Sequence, residues 1–150
     1  MRINMDFSQR VVIDTQAQDW VDSPAKGVAR RMLDREAAES GRATSLVRYE
    51  PDSYFPSHTH TGGEEFLVLE GTFSDQHGDY GPGMYVRNPV GSSHQPFTKD
   101  GCIILVKLWQ MDPDDQDFVR LDTAGGNLWR PGAAEGLSTC HLHKYGGEHV

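Results

Sequence analysis

The segment HTHTGGEEFLVLEG, His58 to Gly71, concentrates the residues best suited to chemistry. Side chains alternate faces along a strand, so His58 and His60 point to one side. Gly62 and Gly63 allow the chain to reverse, and a returning strand brings Glu64 and Glu65 beside the histidines. Only one of two adjacent acids can share the histidines' face. Imidazoles with a carboxylate suit a borderline divalent metal. Farther along, GPGMYVRNPVGSSHQPF reads as a strand, a tight turn and a histidine, His94, entering the next strand. His94 is a candidate third imidazole.

The elements that must hold these residues are short. Apolar runs such as SLVRY, EFLVL, MYVR and CIILVKLW are separated by turn signals such as EPDS, HGDYGPG, NPVGSS and TKDG. Many short strands with regular punctuation predict an all-β sandwich or barrel. CIILVKLW is apolar nearly throughout, which predicts a strand covered on both faces, whereas SLVRYE alternates and predicts one half-exposed face. LDREAAES before Gly41 is read as a polar connection between two strands.

The chain has 150 residues and a formal charge of −8, with 16 glycines and eight prolines. That length predicts one domain with one core. An acidic chain without a basic stripe argues against nucleic acid as partner. No apolar run approaches membrane-spanning length and the N-terminus has no signal-peptide pattern, so a cytoplasmic protein with reduced Cys102 and Cys140 is expected. Trp20, Gly27 and Leu33 recur in spacing as Trp129, Gly136 and Leu142, with Pro24 and Pro131 inside each set, which hints at an internal repeat.

The two histidine segments resemble the two cupin motifs. The first is His58-Thr59-His60, three residues, Glu64, six residues, Gly71; the second is carried by Gly83, Pro89, Gly91 and His94. The six-residue gap to Gly71 selects Glu64 over Glu65. Asp52 and Thr98 stand where the motifs usually have Gly and Asn, and neither departure touches a ligand. HTHTGGEEFLVLEGTFSDQHGDY and GMYVRNPVGSSH are similar to the ChrR-like branch, which includes the C-terminal domain of a zinc-dependent anti-sigma factor. The resemblance spans roughly residues 10 to 123.

It implies an all-β, RmlC-like jelly roll of antiparallel strands over residues 1–123, with 124–150 as an extension resembling the opening of a second repeat. It also implies a metal bound by His58, His60, Glu64 and His94: one divalent ion per subunit, zinc first, with iron, nickel or manganese as alternatives. A homodimer and a small-molecule ligand near the metal are expected. Nothing in residues 1–150 corresponds to the helical sigma-binding domain of the anti-sigma members, so a sigma-factor partner is not expected of this chain alone. A regulatory or ligand-sensing module is favoured over a metal-dependent dioxygenase acting on a small diketone or phenolic ketone.

Other candidates are weighed against plainer roles. Tyr54, Trp109 and Arg87 are candidate ligand-binding residues. Aromatic residues in small barrels mostly fill core, and Arg87 is expected to point outward into solvent. Glu65 is expected to be an exposed or hydrogen-bonded acid on the opposite face. Cys102 is expected in the core, His77 in a turn, and CHLH (Cys140, His141, His143) is a weaker candidate second metal site.

Overall fold

A computed structural model describes residues 1–150. Seven strands form the larger sheet: β1 (Val21–Asp22), β2 (Val28–Arg35), β3 (Ala43–Tyr49), β6 (Glu64–Gly71), β9 (Met84–Asn88), β12 (Cys102–Leu108) and β13 (Val119–Asp122). The smaller sheet holds β4 (Ser53–Tyr54), β7 (Phe73–Asp75), β8 (Gly78–Tyr80) and β11 (Phe97–Thr98). A separate two-strand ladder pairs β5 (His58–Thr59) with β10 (Ser93–His94). The C-terminal segment adds two hairpins, β14 (Trp129–Pro131) with β15 (Ser138–Cys140) and β16 (Lys144–Tyr145) with β17 (Glu148–His149).

The order in the larger sheet is β1-β2-β3-β12-β6-β9-β13, antiparallel at each pairing. This is the expected all-β antiparallel jelly roll. Residues 36–42, after β2, are the polar connection between β2 and β3. No helix is long and apolar enough to cross a membrane.

Strand alternation decides which side chains fill the interior. Along β6, Phe66 and Val68 point inward with Ile104 and Val106 of β12. They meet Phe73 and Tyr80 of the smaller sheet, with Phe66 and Phe73 ring centroids 4.6 Å apart. Cys102 lies in this core as expected. β3 alternates as its sequence does. β12, predicted to be covered on both faces, instead buries Cys102, Ile104 and Val106 and leaves Ile103, Leu105 and Lys107 half-covered. Its apolar outer residues face an open side of the sheet, reached only in part by the C-terminal Leu142 and Val150 beside Leu105 and Leu67.

Gly71, the last residue of the first motif, has φ +68°, and a Cβ there would lie 2.0 Å from the Gly101 carbonyl oxygen. Neither demand can be met by a side-chain residue, because the obstructing atom is backbone.

The two sequence sets related by Trp, Gly and Leu share a backbone plan. The Ser23 amide bonds the Val28 carbonyl and the Val28 amide bonds Ala25; the Gly132 amide bonds the Leu137 carbonyl and the Leu137 amide bonds Ala134. Gly27 and Gly136 take φ +75° and +81° in the two turns.

Candidate metal centre and its cavity

The short β5–β10 ladder places His94 opposite His58. Beyond it, the His60 amide bonds the Ser92 carbonyl, and the Gly91 amide bonds the His60 carbonyl. His58, His60 and His94 therefore project from one face of one ladder. Their ring centroids form a near-equilateral triangle with edges of 4.7–4.9 Å. The reversal at Gly62-Gly63 starts β6 with the Glu64 carboxylate beside them: its Oε2 is 3.3 Å from His60 Nε2 and 3.7 Å from His94 Nε2.

These positions suit a shared cation. Donors bonded to one metal at about 2.0–2.2 Å lie roughly 3–3.5 Å from one another. His60 Nε2 and His94 Nε2 are 2.9 Å apart, and donor atoms of the three histidines all lie within 4.8 Å of one another. The outer hydrogen bonds fix two tautomers. His94 Nδ1 donates to Asp75 Oδ2 at 3.2 Å, and His58 Nδ1 donates to the Pro56 carbonyl at 3.2 Å. Carboxylate and carbonyl oxygens only accept, so when these rings are neutral each Nε2 carries a lone pair. A carboxylate behind a histidine is the arrangement that orients metal-binding imidazoles. Burial holds His60 below the ordinary histidine range, which favours its neutral ring.

Asp75 is itself buried. Burial opposes its ionisation, but hydrogen bonds from His94, the His77 amide and Tyr80 outweigh that and hold the carboxyl below its usual range. On the other side, Asn88 Nδ2 donates to Glu64 Oε2 at 3.2 Å, from the cross-strand position opposite Glu64.

A profile of the ChrR cupin-like domain family matches residues 8–112, more than half of the chain. The chain belongs to the ChrR cupin-like domain family. Among solved structures, this cupin is similar to the complex of SigE with the anti-sigma factor ChrR from Rhodobacter sphaeroides, with 23% identity and TM-score 0.51 over 63% of this chain and 51% of that chain. It thus spans about half the length of that relative. It is also similar to a cupin-like protein of unknown function from Ralstonia eutropha, with 20% identity and TM-score 0.60 over 79% and 80% of the two chains. A proposed acetylacetone dioxygenase from Methylibium petroleiphilum matches with 18% identity and TM-score 0.58 over 79% and 93%. At these identities the likeness shows a shared fold. No curated protein sequence matches the chain.

A cavity of about 380 Å³ opens beside His58, His60 and Glu64 in this cupin, between β2, β3 and β12 and the segment carrying Phe55 and Pro56. Neither Tyr54 nor Trp109 lines it. Tyr54 stacks on Phe97 and is 71% exposed. Trp109 takes φ +58° and lays its indole over Gly62, covering the metal-side turn from outside.

Arg87 corrects the expectation of a solvated side chain: it is fully buried, on the face of the larger sheet opposite the histidines. Its Nη1 donates to Glu65 Oε2 at 3.1 Å, and its Nη2 donates to Asp115 Oδ2 at 2.8 Å and Glu148 Oε2 at 2.9 Å. These carboxylates make burial of the guanidinium tolerable. Glu65 does face away from the histidines, but it is 3% exposed and accepts from the Tyr85 hydroxyl as well.

Of the CHLH segment, only His143 enters a possible donor group, with Asp115 and Asp117. His143 Nε2 donates to Asp115 Oδ2, the oxygen that Arg87 also holds. A guanidinium on the same oxygen opposes a cation there. His77 sits in the turn after β7.

Sequence reading missed Asp75, Asn88 and the cavity residues Arg30, Arg35 and Ser45. Asn88 had a faint signal, since it precedes the motif proline in the strand that pairs with Glu64. Asp75 had none, because β7 meets His94 only through the folding of the smaller sheet.

Proposed function

We propose that this cupin binds one divalent metal through His58, His60, Glu64 and His94 and uses it to hold a small molecule in the adjoining cavity. The observation that carries the reading is the convergence of three imidazoles and one carboxylate, with Asp75 orienting His94. Zinc is the first choice of metal, with iron, nickel and manganese as alternatives, because these ligands serve several borderline ions. A sensing or regulatory module follows, in keeping with the ChrR family. The protein is proposed to be cytoplasmic and homodimeric, with a single cupin domain over residues 1–123. Residues 124–150 form an extension whose first hairpin repeats the plan of β1 and β2.

The cavity favours a second reading, a metal-dependent cupin oxidoreductase such as a dioxygenase acting on a small diketone or phenolic ketone. Its 380 Å³ give a substrate access to the metal donors. With four protein ligands, a tetrahedral ion is filled, whereas an octahedral ion keeps about two positions for a ligand.

Elemental analysis of protein purified without added metal, paired with oxygen uptake on small diketones and phenolic ketones, separates the two. Tightly held zinc with no turnover supports the sensing module. Iron with turnover on the order of 1 s⁻¹ supports the oxidoreductase. Protein that takes up none of these metals overturns both.

A further inference from the structure

The cavity has a second charged end. In β2 the register against β3 shifts between Met32 and Asp34, so that Arg30 faces Val47 while Arg35 faces Ala43. Without this bulge Arg35 would fall on the opposite face from Arg30. The extra residue turns Arg35 inward, and both arginines line the cavity.

The two differ in how they are neutralised. Arg30 is held by both oxygens of Glu39, at 2.9 and 3.1 Å. Arg35 is 5% exposed, meets no carboxylate within ion-pair distance, and makes a single side-chain hydrogen bond, from Nη1 to the Ala38 carbonyl. Its Nε is buried without a partner, as are those of Arg30 and Arg87, so the absent carboxylate is what sets Arg35 apart. The Ser45 hydroxyl, also on the cavity wall, is buried and unpartnered too. Arg87, equally buried, collects three carboxylates. Glu39 and Asp34 act on the buried Arg35 guanidinium only from a distance, so no carboxylate contacts it, an arrangement that a bound anion would relieve. Burial and the nearby Arg30 lower the affinity of Arg35 for its proton, and together they outweigh the opposing pull of Glu39 and Asp34.

Strand register relates this end to the metal donors. Glu64 pairs with Leu108, Leu108 with Ala43 and Ala43 with Arg35, so Glu64 and Arg35 occupy one transverse row of the sheet. Three strand spacings separate their backbones by about 14 Å. Both side chains line the same cavity, so a short chain with a polar group at each end can address Arg35 and the metal donors together. Val47, Val106 and Leu108 supply apolar wall between the ends.

We propose that the cavity takes a small aliphatic carboxylate, its acid group on Arg35 and the Ser45 hydroxyl and its other end, an oxygen donor, at the histidine–glutamate centre. This assignment rests on the metal-binding reading above and specifies the ligand class for it. The planar guanidinium matches a carboxylate with paired hydrogen bonds, and the apolar side chains of Val47, Val106 and Leu108 disfavour a polar middle.

The test is calorimetric titration of the zinc-loaded full chain with glutarate and with acetate, which is too short to reach both ends. Glutarate should bind at least about tenfold more tightly than acetate, a difference of about 1.4 kcal/mol, and Arg35→Gln should remove that advantage, because the charged hydrogen-bond partner of the second acid group is gone. Ser45→Ala should reduce it in part. Zinc content and melting temperature of each variant show whether the centre and fold are intact, and Arg35→Lys is the second variant should Arg35→Gln not fold. No glutarate advantage in the wild type, or one that survives in both Arg35 variants, overturns the proposal. Metal content decides the metal reading separately: if the wild type takes up no metal, the same titration on metal-free protein still supports the anion site where glutarate binding depends on Arg35, and overturns it where binding is absent or independent of Arg35.

Discussion

His94 and Asp75 come from different sheets of the barrel, and His94 Nδ1 donates to Asp75 Oδ2 across 3.2 Å. The contact turns His94 Nε2 toward His60 and Glu64. Asp75→Asn should keep metal stoichiometry near one per chain but weaken affinity by about 10–100-fold, the usual effect of losing a partner behind a ligand. Competition with a chromophoric chelator measures it. His94→Ala should lose the metal outright, and equal affinity in wild type and Asp75→Asn would show that Asp75 does not orient the ring.

Adjacent acids should separate cleanly. Glu64→Gln should deplete bound metal. Glu65→Ala should leave metal content unchanged but destabilise the fold by about 1–3 kcal/mol, because the buried Tyr85 hydroxyl and an Arg87 N–H lose their acceptor. Denaturant titration and elemental analysis on the same samples check both. The opposite pattern would place the β6 register one residue out.

Acid sensitivity should trace to Asp115. Burial opposes its ionisation, but the Asp117 amide, His143 and Arg87 prevail and hold its carboxyl below the ordinary range. Such a group stabilises the fold above its unfolded pKa of about 3.9 and loses that contribution as pH falls through the lower folded value. The melting-temperature gap between wild type and Asp115→Asn should therefore be widest near about pH 6–7 and close below about pH 4. A gap independent of pH would count against this role.

Deleting residues 128–150 should lower the melting temperature, since it removes Glu148 from Arg87, His143 from Asp115, and Leu142 and Val150 from the outer face. If the extension also bridges subunits, light scattering will show dissociation. Unchanged melting and mass would make it an idle appendage.

The thiols should differ in reactivity. Both cysteines are free, and burial pushes the Cys102 thiol up to about 11. Thiolate is the reactive form, so iodoacetamide at about pH 8 should label half-buried Cys140 in the native protein and reach Cys102 only after unfolding. Mass spectrometry of the labelled chain decides the order.

Turn residues and strand alternation were enough to read an all-β sandwich or barrel and to put His58 and His60 on one face. The jelly roll and the full set of His58, His60, Glu64 and His94 came instead from the resemblance to the two cupin motifs. The first reading rests on local rules, a period of two and a Gly-Gly reversal, and the second on the spacing of the family motif, including the count to Gly71. Arg87 was misread because alternation gives a face, not what covers it. Its cover comes from Asp115 and Glu148, 28 and 61 residues away. Arg35 was invisible for another reason: a bulge shifts the parity of β2, and its sequence, VARRMLDR, does not mark where the extra residue falls. The outer face of β12 is apolar in sequence yet only half covered, since composition cannot tell which neighbour arrives.

The ladder of β5 and β10 has two residues per strand and belongs to neither large sheet. It can therefore fray while the barrel stays closed, as a small cooperative unit with its own opening equilibrium. A cation shared by His58, His60 and His94 would tie both of its strands to the start of β6 and deepen that equilibrium by mass action. In deuterium-exchange terms, chelation would speed labelling of the His60 and Gly91 amides while those of β6 and β12 kept their protection, so that the protein records the state of its centre in the breathing of one short ribbon.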